Sequence, residues 1–152
     1  GQMARVFERY GGSVLGVQTV KPEETDKYGI VAADAVDERI SRVRRIVEKP
    51  KPKDAPSNLA VVGRYVLTPA IYGKLETIGR GAGGEIQLTD GIAALIADEP
   101  IFAYAFEGKR YDCGSKLGYL EATVDFALKH KEVGKGFKAY LDKLSRNGGG
   151  RT

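Results

Sequence analysis

Apolar and polar residues recur along the chain with two periods, which predicts a mixture of strands and helices. Alternating or continuous apolar runs, the pattern of strands, cover residues 13–20, 29–35, 39–47, 60–67 and 101–106. Runs with helical spacing cover residues 3–10, 69–78, 87–97, 116–130 and 137–144. The order of these elements predicts an α/β or α+β fold.

Two of these segments carry more detailed expectations. The run 101–106 is apolar throughout, which is typical of a strand covered on both faces. The helix predicted over 116–130 should turn Leu117, Leu120, Val124 and Leu128 toward a core. In a third segment, Thr68 is well suited to cap a helix whose first turn contains Pro69.

The chain has 152 residues, which suits one domain, and we expect it over residues 1–146 with a disordered tail over 147–152. No apolar run approaches the length of a transmembrane helix, so we expect no membrane partner. A single cysteine, Cys113, excludes an internal disulfide and fits a cytoplasmic location. A single histidine excludes a multi-histidine metal site.

The net charge of +4 is small and permits anionic small-molecule ligands. Because the basic residues are spread among acidic ones, a nucleic-acid-binding domain is a weak alternative, and we expect no nucleic acid partner.

Gly79, Gly81 and Gly84 have the spacing of a dinucleotide-binding loop. That motif binds phosphate where a strand precedes it and a helix N-terminus follows. Here a predicted helix precedes it, so we interpret residues 79–84 as a loop between helices.

Glu48, Lys49 and Pro50 end a predicted strand. A carboxylate there can accept hydrogen bonds from sugar hydroxyls, and an ammonium can neutralise a phosphate. Successive strand residues point to opposite faces, so the chain must bend for both side chains to meet one ligand. Surface decoration is the simpler interpretation of these residues alone.

Asp112 lies between an apolar strand and a helix, where α/β sheets present ligands. A carboxylate at that place can bind Mg²⁺ if phosphates and a second carboxylate complete the shell. A turn aspartate near a helix start is the simpler alternative. Likewise, the helix dipole alone explains Glu85 and Asp90.

Five segments, taken in order, resemble the nucleotidyltransferases that make sugar nucleotides. They are residues 27–31 (KYGIV), 47–50 (VEKP), 61–66 (VVGRYV), 84–90 (GEIQLTD) and 111–114 (YDCG). The sequence is most similar to the bacterial UTP–glucose-1-phosphate uridylyltransferases and more distantly to the thymidylyltransferases. Each segment alone is weak, and their common order is what carries the resemblance.

The resemblance implies an α/β fold with a mixed, Rossmann-like sheet flanked by helices. It implies Mg²⁺-dependent attack of glucose 1-phosphate on the α-phosphorus of UTP, giving UDP-glucose and pyrophosphate. Such chemistry depends on positioning and charge neutralisation, which agrees with the absence of a nucleophile–histidine pair.

The resemblance also assigns roles to individual residues. Glu48 would bind sugar hydroxyls, and Lys49 would contact the sugar phosphate and act in catalysis. Gly29 would let the backbone approach the sugar, and Val61 would wall the sugar pocket. Glu85 to Asp90 would lie near the rim of the pocket, and Asp112 would be catalytic as a ligand of Mg²⁺.

The family's triphosphate-binding G-x-G-T-R loop does not occur in this sequence. We therefore expect this chain to be the carboxyl-terminal half of such an enzyme, inactive alone. We also expect the strand 101–106 to lose sheet neighbours and expose edges that favour a homo-oligomer. A non-catalytic module that assembles with a nucleotidyltransferase is the alternative.

Overall fold

The computed structural model describes residues 1–81 and 84–148, which separate into two compact units, Gly1–Glu107 and the residues from Gly108 onward. The first unit contains, in chain order, α1 (Gln2–Tyr10), β1 (Ser13–Thr19), β2 (Gly29–Ala35), β3 (Ile40–Glu48), β4 (Leu59–Val66), α2 (Ala70–Thr77), α3 (Leu88–Leu95) and β5 (Ile101–Ala105). It also has two short 3₁₀ helices, Pro22–Lys27 and Pro52–Asp54. The second unit contains α4 (Lys116–Lys129) and α5 (Gly134–Gly148). The sequence pattern did not indicate this division into two units.

The strands of the first unit form one mixed sheet that closes on itself in the order β1-β4-β2-β3-β5. Strand β5 is parallel to β1 and antiparallel to β3, while the other neighbours are antiparallel. The predicted α/β fold with a mixed sheet and helices is therefore confirmed. The expectation that the strand over 101–106 would lack sheet neighbours is wrong, because the first residues of β3 pair with its second edge.

Helices cover both faces of this sheet. Helices α2 and α3 contribute Ile71, Ile92 and Leu95 to the main core, which also contains Ile101 of β5. Phe102, the next residue of β5, points the other way into a second cluster with Val6 of α1. Alternate residues of β5 thus enter two different cores, as its continuous apolar pattern predicts.

The ends of the first two helices show which local signals were sufficient. Helix α1 ends at Gly11, whose φ of 67° is the left-handed conformation that glycine adopts without strain. Helix α2 begins beside Pro69, but Thr68 does not cap it. The hydroxyl of Thr68 donates instead to the carboxylate of Glu99, a long-range partner that the local sequence could not indicate.

In the second unit, the amphipathic pattern correctly predicted a helix over α4 but not its buried face. Ser115 caps α4 by accepting a 3.0 Å hydrogen bond from the backbone N–H of Gly118. Leu117 and Leu120, predicted to face a core, are 67% and 59% exposed, and Ala122 is the buried residue of α4. A unit of two helices has too little surface to bury both sides of either one.

Helix α5 extends to Gly148, two residues into the segment that we predicted as a tail, and residues 149–152 lie outside the described part of the chain. Within residues 1–81 and 84–148, no helix has the length and hydropathy needed to cross a membrane.

Candidate active site

The end of β3 brings two adjacent charged side chains together. Lys49 has a φ of 43°, in the left-handed region that side chains other than glycine rarely adopt. This turn of the backbone places Nζ of Lys49 3.8 Å from Oε1 of Glu48. The N–H of Lys49 donates to the carbonyl of Tyr28 at 3.0 Å, which ties the bend to the start of β2. The bend predicted at this strand end is thus present.

The carboxylate of Glu48 is fixed from its other side. Its Oε2 accepts a 2.6 Å hydrogen bond from the hydroxyl of Thr89, a buried residue in the first turn of α3. A carboxylate with one oxygen held and the other beside an ammonium keeps a single orientation. Our sequence interpretation placed Thr89 only at the pocket rim and missed this contact. Its membership of the segment 84–90 was the only available signal.

Gly29 lies directly opposite Glu48 in the pairing of β2 with β3. A β-carbon at this position would lie 3.3 Å from Oε2 of Glu48 and 3.5 Å from Oγ1 of Thr89. The structure therefore assigns Gly29 a steric reason to be glycine: it leaves room for the hydrogen-bonded carboxylate. Its predicted approach to a sugar stays a prediction.

Tyr65 of β4 has a charge interaction with Glu48 that the sequence interpretation missed. Partial burial, and then the negative charge of Glu48, raise the pKa of the Tyr65 phenol above its usual value, although the side chain as a whole is 36% exposed. A neighbouring carboxylate favours the neutral form of the phenol. Its position in the segment 61–66 was the only hint in the sequence.

Two other residues were predicted for the sugar site, Val61 and Glu85. Val61 belongs to the main core and is 6% exposed, which leaves little surface for a ligand. Glu85 is exposed, and its carbonyl accepts a 2.9 Å hydrogen bond from the N–H of Gly81. The loop predicted over residues 79–84 does lie between helices α2 and α3, although residues 82 and 83 fall outside the described residues.

Asp112 lies in the second unit, in the turn that precedes α4. Its Oδ1 accepts a 3.0 Å hydrogen bond from the N–H of Gly114, and its carbonyl accepts from the N–H and hydroxyl of Ser115 at 3.2 and 3.1 Å. The carboxylate is exposed. The convergence of Asp112 with Glu48 around one ligand stays a prediction.

A second charged cluster, also missed by sequence reasoning, lies beside Asp112. Lys109 and Tyr111 both donate to Oδ2 of Asp125, with the lysine at 2.9 Å. The bond from Tyr111, and then that from Lys109, lower the pKa of the Asp125 carboxyl. Their bonds to Asp125 in turn raise the pKa values of Lys109 and Tyr111.

The fit of these residues to Mg²⁺ can be judged from their chemistry. No group of three or more His, Cys, Asp or Glu residues suited to a metal occurs in the part of the chain that the structure describes. Asp112 would supply one carboxylate, with one oxygen already accepting from Gly114. Mg²⁺ is commonly held by one or two carboxylates together with substrate phosphates, and Asp112 fits one of these positions.

This combination of a mixed α/β sheet with charged residues at a strand end agrees with comparison to known families. The sequence profile described as nucleotidyl transferase matches residues 1–129, and the chain belongs to this family. The resemblance read from the five segments is thereby confirmed.

The curated relatives are more specific. The chain is 48% identical over 143 residues to a UTP–glucose-1-phosphate uridylyltransferase of Staphylococcus epidermidis, covering 94% of this chain and 50% of the relative. A protein of the same name from Bacillus subtilis is 46% identical, with 94% and 48% covered. The chain thus spans about half the length of the curated relatives it matches.

Solved structures give the same relationship. A UDP-glucose pyrophosphorylase complexed with UDP-glucose superposes with a TM-score of 0.79 at 42% identity, covering 85% of this chain and 49% of that one. The UTP-bound UGPase from Acinetobacter baumannii gives a TM-score of 0.80 at 39% identity, with 94% and 49% covered.

Proposed function

We propose that this chain is the sugar-phosphate-binding part of a nucleotidyltransferase that makes UDP-glucose from UTP and glucose 1-phosphate. The observation that carries the proposal is the pair at the end of β3, where Thr89 fixes the Glu48 carboxylate and a left-handed Lys49 lies beside it. The names of the curated relatives support the choice of uridine and glucose.

In the proposed reaction, an oxygen of the glucose 1-phosphate group forms a bond to the α-phosphorus of UTP. The bond between the α-phosphorus and the bridging oxygen breaks, and pyrophosphate leaves. Glu48 accepts hydrogen bonds from sugar hydroxyls, which sets the orientation of the sugar phosphate. Lys49 offsets the charge of that phosphate, which otherwise repels the triphosphate.

Mg²⁺, when bound, neutralises phosphate charge and orients the reacting groups. In this proposal Asp112 supplies one of its carboxylate ligands, and the phosphates supply others. A second carboxylate would come from the half of the relatives that this chain does not cover.

We also propose that residues 1–152 alone do not catalyse the reaction, because the chain covers only about half the length of its relatives. We also propose that the protein forms a homo-oligomer, but for a reason other than the one given from the sequence. The closed sheet removes the argument from exposed strand edges, and exposed apolar residues of α4 such as Leu117 and Leu120 replace it. A cytosolic site of action fits the exposed, unpaired Cys113.

The direct test incubates the full-length protein with UTP, glucose 1-phosphate and Mg²⁺ and follows UDP-glucose and pyrophosphate. Equal release of both products supports the proposal, and preference for dTTP over UTP would move it to thymidylyl transfer. Absence of product with either nucleotide, together with tight binding to a separate nucleotidyltransferase, would replace it with the interaction-module alternative. Residues 1–152 assayed in parallel should give no product.

A further inference from the structure

A single carboxylate oxygen in the second unit holds two residues that precede Asp112. Oδ2 of Asp125 accepts from Nζ of Lys109 at 2.9 Å and from the hydroxyl of Tyr111. The lysine ammonium also lies 4.7 Å from the centre of the Tyr111 ring. Asp125 belongs to α4, so these contacts attach the segment before Asp112 to the middle of that helix.

The aromatic ring of Tyr111 makes a second contact with α4. Its centroid lies 5.7 Å from that of Phe126, with the rings tilted by 52°. Tilted aromatic pairs at this separation are attractive. The residue immediately before Asp112 is therefore held by two consecutive residues of α4.

The backbone of Asp112 itself is held by the first turn of the same helix. Its carbonyl accepts from the hydroxyl of Ser115, and that hydroxyl oxygen accepts from the N–H of Gly118. A β-carbon on Gly118 would lie 2.2 Å from the Asp112 carbonyl oxygen, closer than any side chain permits. Gly118 thus allows the Asp112 backbone to lie against the helix.

These contacts add little stability, which argues for a positioning role. Lys109 is more than half exposed and Asp125 about a third exposed, and ion pairs in such surroundings contribute little to stability. Their effect on the position of Asp112 matters more, because Asp112 lies between two points at which the chain is attached to one helix. Groups behind a metal ligand orient it, and their loss commonly costs about 10–100-fold in affinity or activity.

We propose that Asp125 and Gly118 are positioning residues that hold the Asp112 carboxylate for the metal and phosphates of the nucleotidyl transfer. The use of the Asp112 carboxylate in this proposal rests on the proposed function, whereas the attachment of Asp112 to α4 does not. Asp125 acts through Tyr111 and Lys109, and Gly118 acts through the Asp112 backbone. Neither residue touches a substrate.

The test uses Asp125→Asn and Gly118→Ala in the full-length protein, with Asp142→Asn as the matched control. Asp142 forms a 3.5 Å ion pair with Lys138 on α5, so the control removes a similar charge from the same unit. Backbone amide hydrogen exchange over residues 109–115 should accelerate severalfold in both test variants and stay unchanged in the control. The Mg²⁺ concentration for half-maximal rate should rise about tenfold, with a smaller change in kcat.

A third variant protects the test against a folding defect. Tyr111→Phe removes only the hydroxyl that donates to Asp125 and keeps the ring against Phe126, so it should reproduce part of both effects in a folded protein. Unchanged exchange over 109–115 in Asp125→Asn, or equal effects in Asp142→Asn, would overturn the proposal. Accelerated exchange in an enzyme that makes no UDP-glucose would instead reject the proposed function and leave the attachment supported.

Discussion

The hydroxyl of Thr89 donates a 2.6 Å hydrogen bond to Oε2 of Glu48, which lies 41 residues earlier in the chain. This bond joins the first turn of α3 to the end of β3. It also sets the direction of the carboxylate that we assign to sugar hydroxyls, so several consequences can be measured at these two residues and their neighbours.

Replacement of Thr89 by valine keeps the shape of the side chain and removes the donor. Because a hydrogen bond to a charged group contributes about 1.5–3 kcal/mol, we expect the KM for glucose 1-phosphate to rise about tenfold or more. Steady-state kinetics with varied glucose 1-phosphate measures this. Thr89→Ser retains the donor and should stay near wild type, and equal losses in both variants would contradict the assigned bond.

Addition of a methyl group at Gly29 should disturb the same carboxylate. The new β-carbon would lie 3.3 Å from Oε2 of Glu48, so the carboxylate must shift by a few tenths of an ångström. We expect Gly29→Ala to lower kcat/KM for glucose 1-phosphate. Gly73→Ala, where no atom lies within 4 Å of the added carbon, should keep activity and stabilise α2 by about 0.5–1 kcal/mol.

Because the backbone at Lys49 is left-handed, substitutions there can distinguish the function of its side chain from its effect on stability. A residue with a side chain loses about 1–2 kcal/mol in this conformation, and glycine does not. We expect both Lys49→Ala and Lys49→Gly to lose affinity for glucose 1-phosphate, while Lys49→Gly unfolds at a urea concentration no lower than Lys49→Ala. Turnover in Lys49→Ala with unchanged affinity would reject the phosphate contact.

Asp112→Asn tests the proposed metal ligand. The amide oxygen can still accept from Gly114 N–H, but the side chain loses the charge that Mg²⁺ favours. We expect the Mg²⁺ requirement of the full-length protein to rise, measured as the concentration for half-maximal rate. Metal titrations that superpose on those of the wild type would count against ligation by Asp112.

Tyr65 should make stability depend on pH in the alkaline range. Burial and the charge of Glu48 raise its pKa in the folded state, so the unfolded chain releases this proton first as the pH rises past about 10. The stabilisation is complete below that pH and is lost as the pH rises through the folded pKa. Urea unfolding between about pH 8 and 11 should show a shallower decline in Tyr65→Phe, while Tyr72→Phe, at an exposed tyrosine, should follow the wild type.

Local pattern was enough to predict most elements. Strands were predicted over residues 29–35 and 101–106, and the structure has strands over Gly29–Ala35 and Ile101–Ala105. Helix α1, predicted over residues 3–10, ends at Gly11, and the left-handed conformation of that glycine is a local property.

What the sequence could not predict depends on contacts between distant segments. Closure of the sheet requires Ile40 to pair with Tyr104 across more than sixty residues, and no local spacing encodes that register. The prediction of the buried face of α4 was wrong for a similar reason. Apolar spacing shows which face of a helix is suited to burial, but it does not show whether another element covers that face. Thr89 and Tyr65 were missed because neither has an unusual local setting.

The closed sheet has a consequence for assembly into fibres. Every strand has a neighbour on each side, so the sheet has no fully unpaired edge strand to act as a template for cross-β growth. Among the described residues, β2 and β4 pair at one position, Ile30 with Ala60, against three positions for β3 and β5 and five for β1 and β5. Amyloid conversion of the first unit should therefore begin by parting β2 from β4, and agents that hold this seam together should delay thioflavin-positive aggregates.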